Sequence, residues 1–204
     1  MKTKELIARL KYPTEELVRE YQEEFSKDYG VEDKMQKLIV EKVYDKDTYE
    51  AILLTAIIIN ELYSTNIRRI KIMADHIFNH KDEIHSLIAD GDAKAVDAIA
   101  MGHGLKSGKN GKEFNFYSFA SKYCNYLNPD KFPIYDSYVD QMLASYNLME
   151  HFADFTGTDL RDYGKFSDVV LKFMKHFRLE QFSLREIDKF LWLYGIRLVR
   201  ESEI

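Results

Sequence analysis

With 204 residues, 46% of them hydrophobic and 31% charged, the chain has the composition of an ordinary globular protein and length enough for one well-packed domain or two small lobes. Three prolines and nine glycines are too few for the many tight turns of a sandwich or barrel, and long stretches rich in Leu, Ile, Glu, Lys and Ala favour an all-α fold. A formal charge of −5 points away from nucleic acid only if it is evenly spread, and it is not.

The first 45 residues read as two amphipathic helices with charged outer faces, the second capped by Asp33 with Gln36 three residues on. Asp47 and Glu50 then form a capping box opening YEAILLTAIIINELYS, apolar nearly all round and therefore expected as a buried central helix. Ser64, Thr65 and Asn66 form a polar break, followed by a helix over residues 67–78, another around His85 up to Gly91 and Asp92, and a short one ending near Ala100.

GHGLKSGKNGK, residues 102–112, reads as a mobile basic loop or a short hairpin. Phe116, Phe119, Ala120, Tyr123 and Leu127 then share one helical face, and that helix stops at Asn128 and Pro129. After DKFPIY, Asp136 is placed to cap a helix carrying Val139, Met142, Leu143 and Tyr146. The last strong helix opens with Ser183 and Glu186 as a capping box and Phe182 against Ile187 as a hydrophobic staple, and Gly195 marks its expected end.

The charge is uneven along this order. Residues 1–50 hold 10 basic and 13 acidic groups, whereas residues 102–123 hold Lys106, Lys109, Lys112 and Lys122 against Glu113 alone. Residues 161–200 are also basic, with nine cationic and five acidic groups. Lysines on a glycine-rich loop suit sequence-independent attraction to phosphates. Cys124 stands alone, which excludes an internal disulfide and a four-thiolate metal or iron–sulfur site. Among six histidines, His76 and His80 lie one turn apart, but no HExxH accompanies them, so all six are expected at the surface and no metal or other cofactor is expected. The apolar run at residues 51–59 is about half the roughly 20 residues of a membrane span, and the first residues lack the apolar core of a secretory signal. A cytoplasmic monomer without a membrane partner is expected.

Lys122 falls about 120° from the Phe119/Tyr123 stripe, on the flank of its helix, where its amine can face a cleft. Asp136, at a helix N-terminus, is favoured in its ionised form. An amine and a carboxylate meeting across one turn can attack a sugar carbon and stabilise the positive charge that develops there. As a surface lysine and a simple cap, the same two residues carry no chemistry.

The segments AILLTAIIINELYSTNIRRIKIMADHI and FYSFASKYCNYLNPDKFPIYDSYV resemble the helix-hairpin-helix DNA glycosylase superfamily, over roughly residues 48–195. The resemblance implies a two-lobed all-α fold with a helix-hairpin-helix-like element and a central cleft, one lobe formed by residues 1–47 with 150–204 and the other by residues 48–149. It puts Lys122 at the Schiff-base lysine, Asp136 at the essential aspartate, Thr65 and Asn66 at the loop that fills the space of an extruded base, and Ser121 at the hairpin's phosphate contact. Phe119, Ala120 and Ser121 stand where the family usually has glycines. It further implies duplex DNA as partner and excision of a damaged or modified base, with strand cleavage at the abasic site as an option. Tyr117, Tyr135 and Trp192, the last about 140° from Ile187, are the candidate base-pocket rings. The strings LYSTNI, SFASKYC and PIYDSYV are similar to stretches of small bacterial and phage-related proteins, which leaves room for defence against modified phage DNA. The alternatives are a non-catalytic helical DNA- or partner-binding protein and a helical toxin acting on RNA.

Overall fold

The computed structural model describes residues 7–106 and 111–200, and among them it is all-α. In chain order the helices are α1 (Glu15–Asp28), α2 (Gly30–Leu38), α3 (Tyr49–Leu62), α4 (Ile70–Asn79), α5 (Lys81–Asp90), α6 (Lys94–Ala100), α7 (Tyr117–Leu127), α8 (Ser137–Glu150), α9 (Tyr163–His176) and α10 (Leu184–Arg200). A π-helical turn (Ile39–Val43) follows α2 and a 3₁₀ turn (Asp159–Arg161) precedes α9. No helix among the described residues is long and apolar enough to cross a membrane.

The chain divides into two compact units, residues 31–132 and residues 1–30 with 133–204. These borders differ from 47/48 and 149/150: α8 belongs with the chain ends because it packs on α10, and α2 belongs with the middle because Gln36 Nε2 donates to the α7 carbonyls of Asn125 and Tyr126.

In the middle unit the core is Ile52, Ala56 and Ile59 of α3, Met73, Ala74 and Ile77 of α4, Ile84 of α5, Ala95, Val96 and Ile99 of α6, and Phe119, Ala120 and Tyr123 of α7. α3 lies against α4 and α7. It is not buried all round as expected, because those neighbours cover one side and leave Leu54 and Ile57 exposed. Helix starts also shift. Glu32 and Asp33 lie in the first turn of α2, which opens at Gly30. Thr48, not Asp47, is the N-cap residue of α3, and Asp45 orders the approach by accepting from Asp47 N–H (2.9 Å) and Thr48 Oγ1 (2.7 Å).

In the unit of the chain ends, α10 packs between α1 and α8. Its capping box forms as expected: Glu186 Oε2 accepts from Ser183 N–H at 2.8 Å, and Ser183 Oγ accepts from Glu186 N–H at 3.3 Å. Gly195 does not end α10. It sits inside the helix where an added Cβ would lie 3.1 Å from Met142 Cγ and 3.2 Å from Tyr138 Cβ, so the glycine serves close helix packing rather than a left-handed cap. An element beyond those expected, α9, contributes Phe166, Val169, Val170, Phe173 and Met174 to this core at helical spacing.

Candidate nucleic-acid site

The residues of interest in the middle unit lie on α7, on the loop after α3 and on the loop before α7. α7 is buried at nearly every position because its neighbours cover both its stripe and its flanks. Lys122 therefore does not face solvent from a flank: it is 3% exposed. Its Nζ donates to Ser118 Oγ one turn back at 2.6 Å and lies 5.8 Å from the centroid of the Tyr63 ring. Ser121 is also buried, with its hydroxyl donating to Ser118 O at 3.0 Å, and Tyr117 is 7% exposed. Neither presents itself to a solvent-side ligand, in contrast to the phosphate and base contacts expected of them.

Tyr63 is also the C-cap residue of α3, so the ring beside Lys122 leads directly into the polar break. Ser64 (φ 49°) and Asn66 (φ 58°) both adopt the left-handed region, an uncommon and costly choice for residues other than glycine. Asn60 secures the turn: its Oδ1 accepts from Thr65 Oγ1 at 2.7 Å and from Ile67 N–H at 2.8 Å. Asn66 Nδ2 closes on Ser64 O at 2.7 Å and Asn66 itself is exposed. Within one unit the fold thus joins Lys122, Tyr63 and the loop bearing Thr65 and Asn66.

The glycine- and lysine-rich segment takes the hairpin form at its base, with an antiparallel bridge between Lys106 and Glu113 and Phe114 N–H donating to Leu105 O at 2.8 Å. Lys106 and Lys112 are exposed. Lys109 lies outside the described residues.

The histidines correct the expectation of surface positions. His76 and His103 are both 9% exposed, and their Nε2–H groups donate to Ala98 O (2.7 Å) and Ala100 O (3.1 Å). Desolvation holds His76 below the usual histidine range. Among the described residues no group of three or more potential metal ligands converges.

A part-buried polar chain links α5 to α7. His85 Nδ1–H donates to Lys81 O at 2.6 Å, which leaves Nε2 to accept from the Tyr44 hydroxyl, whose oxygen in turn accepts from Tyr123 O–H at 3.1 Å. Burial pushes both tyrosines above their ordinary range and His85 below its own, so all three groups are neutral at physiological pH.

In the unit of the chain ends, Asp136 is the N-cap residue of α8 as expected, accepting from Tyr138 N–H at 3.0 Å, and it is half-buried. Tyr135 is buried against Phe166 and donates its hydroxyl to Asp140 Oδ2 at 2.7 Å. Trp192 is half-buried, its ring met edge-on by Tyr29 at 5.0 Å and Phe25 at 6.0 Å. Both rings take part in the packing of this unit. Sequence reasoning missed Ser118, Tyr63 and Asn60; the four-residue spacing of Ser118 and Lys122 on one helix was the signal for the first.

Comparison with known proteins adds kinship without chemistry. A protein of Haemophilus influenzae that carries the name "Uncharacterized protein" is 39% identical over 158 residues, covering 77% of this chain and 73% of that one. No solved structure matches. The family model described as HI_0787_N, N-terminal domain, matches residues 14–131, a stretch that includes Lys122, Ser118 and the loop after α3, and the chain belongs to that family.

Proposed function

We propose that the chain is a DNA N-glycosylase, hydrolysing the glycosidic bond of a damaged or modified base once its nucleotide has been everted. The observation that carries this reading is the state of Lys122: an amine 3% exposed, fixed by the Ser118 hydroxyl and faced by the Tyr63 ring. Taking an ammonium out of water is costly, and desolvation is one of the ways in which proteins turn a lysine into a nucleophile. The adjoining loop supports the same reading. Two left-handed residues hold the chain in a strained turn of the kind that functional segments retain, suited to filling the stack vacated by an extruded base.

One form of the reaction falls to Asp136 without Lys122, its carboxylate stabilising the oxocarbenium-like charge on the sugar or polarising the attacking water. Where Lys122 attacks instead, Nζ bonds to C1′ as the bond from C1′ to the base breaks; the amine loses a proton and the departing base gains one. Opening of the sugar ring then gives an imine through which strand cleavage can follow. Eversion costs a few kcal/mol, least for a damaged or mismatched base, which gives selectivity before chemistry begins.

The test is base release from duplexes carrying a panel of damaged and phage-type modified bases, with free base and abasic sites measured. Release by the wild type, lost in Asp136→Asn while salt-dependent binding persists, is the expected result. Binding without release across the panel overturns the reading in favour of a DNA-binding protein without catalysis. Borohydride trapping examines Lys122 separately, since only an amine–sugar imine is reduced to a covalent adduct.

A further inference from the structure

We infer that the groove between residues 154–159 and one face of α9 is a binding site for a small zwitterion with an apolar side chain, of the free α-amino acid class, its ammonium group taken by Asp168 and its carboxylate by Lys172. The groove lies wholly within the unit of the chain ends, and it is independent of the glycosylase reading.

Helical spacing builds one wall. Lys165, Asp168, Val169 and Lys172 fall at i, i+3, i+4 and i+7, a single stripe of α9 beside the core stripe of Phe166, Val170 and Phe173. The facing wall runs from Asp154 to Asp159 and is tied to the helix before any ligand arrives. Asp159 Oδ1 accepts from Lys165 Nζ at 2.7 Å, and its Oδ2 accepts from Thr156 N–H at 2.8 Å and from Thr156 Oγ1 at 2.7 Å. Three donors on one carboxylate hold Asp159 well below the usual carboxylate range and commit Lys165 to it. Phe155 is half-buried and braced by Phe152 with centroids 5.9 Å apart, and Phe152 meets Phe173 of the core at 5.6 Å. The walls enclose about 250 Å³, below the roughly 300–1,000 Å³ of pockets for drug-sized ligands, which suits a small molecule.

The charges left over select the ligand. Asp168 and Lys172 line the groove one turn apart, and among the described residues neither has a hydrogen-bond or ion-pair partner. An anion would meet Asp154 and Asp168, and a simple cation would meet Lys172. A zwitterion answers both signs at once, and it leaves Phe155 and the buried Val169 for its apolar part. A direct pair between Asp168 and Lys172 on an exposed helix face is weak, so a ligand that bridges them displaces little. Asp154, whose carboxylate lies 3.2 Å from His151 Nε2, offers a second acceptor to an ammonium group at the rim.

The experiment titrates the full chain with L-leucine, L-methionine and L-phenylalanine, each taken to about 10 mM, where even a millimolar site is mostly filled, and follows binding by calorimetry and saturation-transfer NMR. At least one is expected to bind, one molecule per chain. Its decarboxylated amine and its deaminated acid are expected to bind at least about tenfold more weakly, because each lacks one of the two charge contacts. Lys172→Ala and Asp168→Asn, both at exposed positions, are each expected to weaken the amino acid about tenfold while the thermal midpoint of the unliganded chain stays near that of the wild type. No binding by any of the three amino acids, an amine or an acid that binds as tightly as the parent amino acid, or unchanged affinity in either variant would each overturn the site.

Discussion

Lys122 and Ser118 face one another across a single turn of α7, Nζ donating to Oγ at 2.6 Å, so that the helix supplies its own acceptor to a buried amine. Ser118→Ala removes that acceptor. A lost hydrogen bond costs about 0.5–1.5 kcal/mol, and the variant should unfold at correspondingly lower urea with an unchanged slope. If Lys122 is the nucleophile, borohydride trapping falls in the same variant, because the amine loses one of the contacts that position it. Wild-type stability and trapping in Ser118→Ala would show that the contact carries neither role.

Asn60 controls the loop after α3 through its single side-chain oxygen, which serves Thr65 and Ile67 together. Asn60→Ala should cost about 1–3 kcal/mol, since it leaves Ile67 N–H, a donor of a buried residue, without its acceptor. Asn60→Asp keeps an acceptor for both donors but loses the Nδ2–H that donates to Ile67 O at 3.4 Å, and should retain part of that stability. Base release is expected to follow the same order, wild type above Asn60→Asp above Asn60→Ala; equal rates in all three would detach the loop from catalysis.

At Gly195 two effects oppose each other. A methyl group gains up to about 1 kcal/mol of helix propensity but must displace Met142 Cγ and Tyr138 Cβ, at 3.1 and 3.2 Å. Gly195→Ala should therefore move the thermal midpoint little. Gly195→Val adds two branches at the same contact, and overpacking of about 1–3 kcal/mol dominates. A Gly195→Val chain as stable as the wild type would mean that α8 and α10 are not packed as closely as described.

Acid should weaken the middle unit. His76 and His85 are both held below the usual histidine range by burial, so the unfolded chain binds protons that the folded chain refuses. Their contribution is complete above the unfolded value of about 6.5 and is lost as pH falls from there through the folded values. His85 is faced by Tyr44, by the Lys81 carbonyl, and by the charges of Lys46, Asp47 and Asp82, so its loss also releases Tyr44 and, through it, Tyr123. Urea midpoints measured between about pH 7.5 and 5 should decline, and His85→Gln should flatten that decline. An acid limb of identical slope in the variant would exclude His85 as a source.

Apolar periodicity and capping chemistry are local, and they were legible. The all-α class, the Asp136 cap of α8, the Ser183 and Glu186 box of α10 and the end of α7 at Asn128 all follow from residues within a turn or two of each other. Legibility failed where a distant segment decided the outcome. Gly195 looks like a stop until α8 approaches it, and α3 looks wholly buried until its actual neighbours are counted on only one side.

The amino-acid order by itself determined the all-α class, most of the helical segments other than α9, and the caps at Asp136 and Ser183, because these depend on backbone hydrogen bonding and a 3.6-residue period. Tertiary structure alone decided that Lys122 is buried rather than open and that Tyr63 brings the loop after α3 to it. Burial and cross-chain contact are properties of the surroundings of a residue, and those surroundings exist only once helices far apart in sequence have packed.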